Sequence, residues 1–419
     1  MPHHSSQNPP LGRSFWTVWA AGAVNNVGNG ALGVGVSLFA ADLTSDARIM
    51  ASVAAAATLP WALVSIPAGV LADRTDPILI LRIAQLAQAT AMTALAVLVG
   101  LHVATTAELA VLAFFATAGD VVYNIAGQSM LPRLVPIASL TRANTLLFLA
   151  QVIGFTLVGQ SLGGMLFASS SASPFVFEAV SYIACTLILL SVRGQPPRWL
   201  GADGITGEGS FVRVRRETAD GFRWLLRHRL LRVLTVLLGL NTFANQIAMS
   251  VFVLFATSTL GLSHAEYGWV VGASAAGSLL GGLVNTRIVR IIGAPAAIVA
   301  ALTLNAACFA GLALATSAIV ATALLATVGL SITVWNVVSV TMRQTLVPQG
   351  LLGRVNSINR LVGWGLLPVG ALVGGVLANS FGLRAPFLIA GGFRFALLLA
   401  ALPMLLPALR SLRTAPPSE

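Results

Sequence analysis

Of 419 residues, 57% are apolar and only 9% charged, and the mean hydropathy is +0.87. Soluble domains carry about 25% charged residues to keep their surfaces in water, so a water-soluble globular protein is excluded. The formal charge of +11 comes from 24 basic residues, every one an arginine, and their placement argues for membrane topology rather than a nucleic-acid partner.

The chain opens on a polar tail, residues 1–13, beginning MPHHSSQNPP. It lacks the basic, apolar, small-residue order of a cleaved signal, and the lone pair His3 and His4 is not read as a metal site. Apolar stretches of about 20 residues then recur, each enough to cross a hydrocarbon core of about 30 Å as helix. They fall near 14–40, 49–72, 78–100, 108–131, 141–167 and 174–192, then 231–258, 266–288, 294–315, 317–342, 357–380 and 385–408. None shows the period of two that barrel strands require. The expectation is an all-α membrane protein with twelve transmembrane helices.

Span 1 carries Asn25 and Asn29 one turn apart, and also Gly28-Asn-Gly30-Ala-Leu-Gly33. Those glycines match a dinucleotide fingerprint by letters, but that motif needs a strand before it and a helix after it. Inside an apolar span it is not a nucleotide site. Span 4 places Asp120, Tyr123, Asn124, Gly127 and Gln128 at i, i+3, i+4, i+7 and i+8, one face of a helix. Span 6 holds Glu178, four residues past Pro174 and therefore about 6 Å deep at 1.5 Å per residue. Residues 193–230 form the longest polar stretch. Its second part sets Trp224, Leu225 and Leu231 among arginines, the pattern of a basic amphipathic helix lying against anionic headgroups at the cytoplasmic surface. Span 7 repeats the asparagine pair as Asn241 and Asn245, and span 10 carries Trp335, Asn336 and Ser339. Cys185 and Cys308 sit in apolar spans and read as packing. Residues 409–419 are a second tail.

With these spans, 24 − 3 = 21 arginines fall on the side of both termini, and only Arg48, Arg384 and Arg394 lie toward the other face. The positive-inside rule puts that side in the cytoplasm of a cell whose inner (plasma) membrane the chain crosses.

The two halves repeat. Tyr123-Asn124, Leu134-Val-Pro136 and Arg142-Ala-Asn144 recur 212 residues on as Trp335-Asn336, Leu346-Val-Pro348 and Arg354-Val-Asn356. Gly154, Gly159, Gly163 and Gly164 return at 211 as Gly365, Gly370, Gly374 and Gly375. Asn25, Asn29 and Leu38-Phe-Ala40 return at 216, and Gly69 and Arg74 at 213. Helices 1, 2, 4 and 5 thus equate with 7, 8, 10 and 11, giving pseudo-symmetric six-helix bundles over 14–192 and 231–408. Parallel repeats of this kind bind substrate between the halves near the midplane. The small-xxx-small glycine pairs are packing devices.

Gly69-Val-Leu-Ala-Asp73-Arg74 resembles the loop signature of the major facilitator superfamily, and halves, loops and span count agree with it over essentially the whole chain. The stretch Asn26 to Asp73, Leu131-Pro-Arg-Leu-Val-Pro136, and Leu352-Gly-Arg-Val-Asn-Ser357 with Gly363-Trp-Gly365 resemble bacterial drug and siderophore exporters of the enterobactin-exporter and macrolide-efflux type. The resemblance implies the major facilitator fold. It implies a gating role for Asp73, facing the cytoplasmic start of helix 11, with Arg74 in the same charge network. Pro77, Ile78 and Leu79 stand where the family continues with basic residues, with Arg82 a turn later. Gly159-Gln-Ser-Leu-Gly163-Gly164 resembles the family's antiporter motif with Gln160 in place of proline, and Asn29 stands where related exporters carry an aspartate. The resemblance also implies an acid at the positions of Asp120 and Glu178 in many relatives.

Ionisable groups at lipid depth are functional candidates, and Asp120 and Glu178 are the only acids that sit within spans rather than at their ends. Asp120 lies eleven residues past Leu109, about 17 Å deep. Burial there disfavours a bare charge, which suits a proton carrier; Glu178, nearer the outer face and water, ranks second. Asn25, Asn29, Tyr123, Asn124, Gln128, Asn241, Asn245, Trp335 and Asn336 are expected to line a cavity of amides and aromatics, with hydrogen bonding between helices as the other use of the asparagines. The resulting expectation is a monomeric, proton-coupled exporter of an amphipathic drug, antibiotic or siderophore, without cofactor, metal or nucleic acid. An importer or facilitator of a small metabolite is the second reading. A channel lacks rings of like charge, and a membrane enzyme would need clustered His, Asp or Glu where the acids are scattered.

Overall fold

The computed structural model describes residues 11–136, 139–192 and 222–413, and among them there are helices and no strands. In a bilayer every backbone polar group must be satisfied within the protein, which leaves the helix as the element of choice. The helices are α1 (Arg13–Leu43), α2 (Ala47–Leu63), α3 (Ser65–Arg74), α4 (Pro77–Gly100), α5 (Thr106–Leu134), α6 (Leu140–Gln151), α7 (Gln160–Ser169) and α8 (Ser173–Leu190). After the 193–221 stretch come α9 (Arg229–Met249), α10 (Phe252–Leu254), α11 (His264–Leu314), α12 (Ala318–Leu346), α13 (Gln349–Gly365), α14 (Leu367–Phe381) and α15 (Ala385–Arg413). Nine helices among the described residues are long and apolar enough to cross a membrane.

Local chemistry sets the ends. Asp76 accepts from Ile78 N at 2.9 Å, with Pro77 supplying the fixed φ of a first helical residue. Ser263 and Glu266 form a capping box at the start of α11, Ser263 N donating to Glu266 Oε2 at 2.8 Å. Arg82 donates to Leu189 O at 2.8 Å and Val192 O at 2.7 Å, and Arg384 to Ala313 O at 2.8 Å. Both guanidinium groups thereby satisfy carbonyls that a helix end leaves open.

Several spans read as continuous are interrupted, each for a backbone reason. The second breaks at Val64, between α2 and α3, because Pro67 has no N–H and its ring crowds the carbonyl four residues earlier. Pro368 does the same at the junction of α13 and α14. The fifth widens into a π-helical stretch, Val152–Gly159, and another such stretch, Phe255–Thr259, follows α10. α11 is two helices joined at Gly293, whose φ of 83° only glycine adopts freely. α13 begins at Gln349, ahead of the expected 357.

The described residues form two compact units. The first takes the chain up to Phe39 and from Leu63 to Val192; the second takes Ala40–Ala62 and the chain beyond 221. In the first, α4 packs on α5 and α8 around Ile78, Leu81, Met130 and Leu189. In the second, α11 packs along α12, and α9 lies against α13, α14 and α15. Residues 40–62 therefore pack with 222–413 rather than with the rest of 14–192: a methyl on Gly375 would stand 2.7 Å from Ala47 O, and Trp61 stacks on Trp364 at 4.5 Å between centroids. Of the basic stretch expected at the membrane surface, residues 193–221 lie outside the described residues. Leu225 and Leu231 are buried in the core of the second unit instead of facing headgroups.

The internal repeat holds at the level of contacts. A methyl on Gly159 would meet Val27 O at 2.5 Å, and one on Gly163 would meet Ala31 O at 2.7 Å. In the second unit a methyl on Gly370 would meet Phe243 O at 2.6 Å, and one on Gly374 Ile247 O at 2.1 Å. These are the same contacts shifted by 211 residues on one helix and 216 on the other. A fifth helix pair joins the four read from sequence. Pro174-Phe175 recurs at 212 as Pro386-Phe387; Phe175 packs edge-on against Phe39 at 5.8 Å, and Phe387 packs on Phe255, 216 beyond Phe39, at 4.9 Å.

Candidate functional site: a buried acid network and two polar cavities

In the first unit the polar face of α5 meets amides from α1 and α4. Asp120 Oδ1 accepts from Asn29 Nδ2 at 3.0 Å and from Gln88 Nε2 at 2.9 Å. Gln88 Nε2 also donates to Ala116 O at 2.9 Å, and Gln85 Nε2 donates to Asn25 Oδ1 at 2.8 Å. From α8, Tyr182 OH donates to Asn29 Oδ1 at 2.9 Å. The result is a chain Tyr182–Asn29–Asp120–Gln88 through four helices, with a donor for each acceptor it uses. Tyr123 OH lies 3.7 Å from Cys185 Sγ, which explains one buried thiol as packing.

Glu178 corrects an expectation. Counting from Pro174 put it near water, yet its exposure is 0% and neither carboxyl oxygen has a hydrogen-bond partner. The reason lies on another helix: Gly28 has no side chain, and the Glu178 carboxyl fills that space, with Oε2 1.7 Å from where a Cβ on Gly28 would stand. The first glycine of the stretch that mimics a nucleotide motif therefore makes room for a carboxyl, inside a continuous helix.

The cavity candidates separate into two groups. Asn25, Tyr123, Asn124 and Gln128 line a cavity of about 540 Å³ within the first unit, walled also by Phe15 and Trp19. Asn241, Asn245, Trp335 and Asn336 line one of about 380 Å³ within the second, where Trp364 and Arg394 join them. Both volumes suit small organic ligands. Asn29 is in neither lining; it belongs to the acid network. Asp73 and Arg74 close α3, and their side chains lie outside the described residues, as do His3 and His4.

Sequence reading missed Gln85 and Gln88, two amides at i, i+3 in the third span, and misplaced Arg394 toward the outer face. Arg394 is 4% exposed and sits nine residues into α15, about 14 Å along it. A cation at that depth was itself the signal.

Helical units that repeat their helix contacts, each with a polar cavity in a lipid-depth bundle, define a membrane transporter of the major facilitator type and not an enzyme. Comparison with known proteins agrees. The chain belongs to the transmembrane secretion effector family of that superfamily, whose model matches residues 5–418. It is 26% identical over 372 residues to the multidrug efflux pump Tap of Mycolicibacterium fortuitum, covering 86% of this chain and 87% of that protein. Its fold is similar to a bacterial homologue of the iron transporter ferroportin (TM-score 0.73, 15% identity, 95% of this chain and 100% of that one). It is likewise similar to the nucleoside transporter NupG (TM-score 0.71, 14% identity, 94% and 100%).

Proposed function

We propose that this transporter is a proton-coupled exporter of amphipathic small molecules, working by alternating access across the plasma membrane as a monomer of twelve spans with both termini cytoplasmic. The observation that carries this reading is the acid network: a membrane-depth carboxylate, Asp120, bonded to Asn29 and Gln88, with Asn25, one turn before Asn29 on α1, lining the cavity of the same unit. Proton movement at Asp120 is thereby one helical turn from a residue that lines the cavity. The relative that is a multidrug efflux pump supports the export direction. Tyr123, Asn124, Gln128, Asn241, Asn245, Trp335 and Asn336 serve as substrate contacts, amides and aromatics that suit an apolar molecule with a few polar groups.

The test is a growth-inhibition panel of antibiotics, dyes and siderophores in cells lacking their own exporters. Expression of the chain is expected to raise the inhibitory concentration of at least one amphipathic compound several-fold. A panel with no change, or cells sensitised because the compound accumulates, would reject export.

A gate at Asp73 belongs to the same proposal. A carboxylate beside a helix N-terminus gains about 0.3–1 kcal/mol, enough to bias a two-state equilibrium by a few-fold. Asp73→Asn is expected to lower transport about two- to fivefold on that scale at unchanged expression, with cysteine labelling from the cytoplasm increased. Unaltered transport and labelling would leave Asp73 a purely topological residue.

A further inference from the structure

Among its described residues, the second unit holds a buried cation for which it supplies no anion. Repeat register shows how it got there. Pro174-Phe175 and Pro386-Phe387 align α8 with α15 at an offset of 212, which puts Arg394 where the first unit has Tyr182. The interhelical bond is kept as well: Tyr182 OH donates to Asn29 Oδ1 at 2.9 Å, and Arg394 Nη2 reaches Asn245 Oδ1, 216 beyond Asn29, at 3.5 Å. A neutral phenol in one unit stands where the other has a guanidinium. At the position of Asp120, 212 residues on, stands Ile332.

Every other contact of Arg394 is to a neutral group. Nη2 donates to Asn241 O at 2.9 Å, Nη1 donates to Asn305 Oδ1, the guanidinium carbon lies 3.9 Å from the centroid of the Phe309 ring, and Nε has no partner. Asn305 is itself fixed by donating to Ser331 Oγ at 2.8 Å. Among the described residues of this unit the acids are Asp42, Asp46 and Glu266, all at or beside helix ends. Arginine keeps its charge in proteins, and an unpaired buried charge is costly. Yet this one lines the cavity of about 380 Å³ with Trp335, Trp364 and Asn336. A planar fork of donors beside indole rings is built for a carboxylate or similar acid carried on an apolar body.

We infer that the cavity of the second unit binds amphipathic organic anions through Arg394, which takes their acidic group while the tryptophans take the apolar body. This rests on the export reading only in treating the anion as cargo. Arg394 is then a specificity-determining residue, separate from the proton-handling acids of the first unit.

The test uses the full chain in phosphatidylcholine nanodiscs, with 2-naphthoate and its methyl ester as probes and quenching of tryptophan fluorescence as readout. Wild type is expected to bind the acid about tenfold more tightly than the ester, the scale of a hydrogen-bonded charge pair. Arg394→Gln should bring that ratio to about one, and Arg394→Lys should keep part of it. Arg394→Tyr, the residue found at the equivalent place in the first unit, gives a neutral variant of similar bulk should the glutamine protein fail to fold. A wild type without preference for the acid, or a preference that survives in the neutral variants, overturns the inference. So does a preference that disappears in phosphatidylglycerol discs, because the lipid headgroup is then the occupant. A chain that exports nothing in the growth panel but keeps the acid preference loses the export reading alone; one that exports while the neutral variants keep the preference loses this site alone.

Discussion

Asp120→Asn is expected to abolish concentrative export while leaving downhill exchange in place. Of the two membrane-depth acids, Asp120 has amide donors ready for its charged form, from Asn29 at 3.0 Å and Gln88 at 2.9 Å. Glu178 has none, so an ionised carboxylate there would stand uncompensated against Gly28. A proton carrier needs both of its forms provided for, and Asp120 meets that requirement better. Asparagine keeps its shape and still accepts from both amides, so the helix contacts survive the change. One pH unit supplies about 1.4 kcal/mol per proton, so one-for-one exchange sustains roughly a tenfold substrate gradient. Proteoliposomes with the wild-type chain should approach that ratio, Asp120→Asn should fall to about one, and Glu178→Gln should lie between them. Concentration of substrate by Asp120→Asn as well as by wild type would remove Asp120 from the coupling site.

A second large effect concerns folding. In the second unit α11 and α12 cross with no room for side chains: a methyl on Gly277 would stand 1.6 Å from Ala326 O, and one on Gly329 1.9 Å from Ser274 O. The obstacle is backbone on both sides, which no rotamer change relieves. Close approach of this kind is what small residues at helix interfaces in membranes provide. Gly277→Leu must therefore cost at least the roughly 1–3 kcal/mol of an overpacked core, a large share of the stability of a typical domain. We expect most of the monodisperse peak in size-exclusion chromatography to be lost. Gly282→Leu is the matched control, because a Cβ there meets nothing within 4 Å and the position is exposed. Equal yields of the two variants would show that the crossing is not close-packed.

The amino-acid sequence alone determined the class of environment, the helical nature of the spans and the repeat. Each of these is a property of the chain in one dimension: apolar length, arginine placement, and matching residues at offsets of 211 to 216. It also marked Asp120 and most cavity residues, since a polar stripe at helical spacing shows which residues share a face. What it could not carry is which helix that face meets. The depth of Glu178 follows from counting along α8, but its burial follows from an absent side chain at Gly28 on α1, and Asn29 left the cavity because Asp120 and Tyr182 converge on it from two other helices. Arg394 was countable in the same way, yet only the packing of α15 against α9 and α11 turned an arginine near the outer face into a cation buried among neutral oxygens. Hydropathy and spacing give the depth of a residue and its direction on its own helix; the neighbour that fills or empties the space opposite is a property of the tertiary packing.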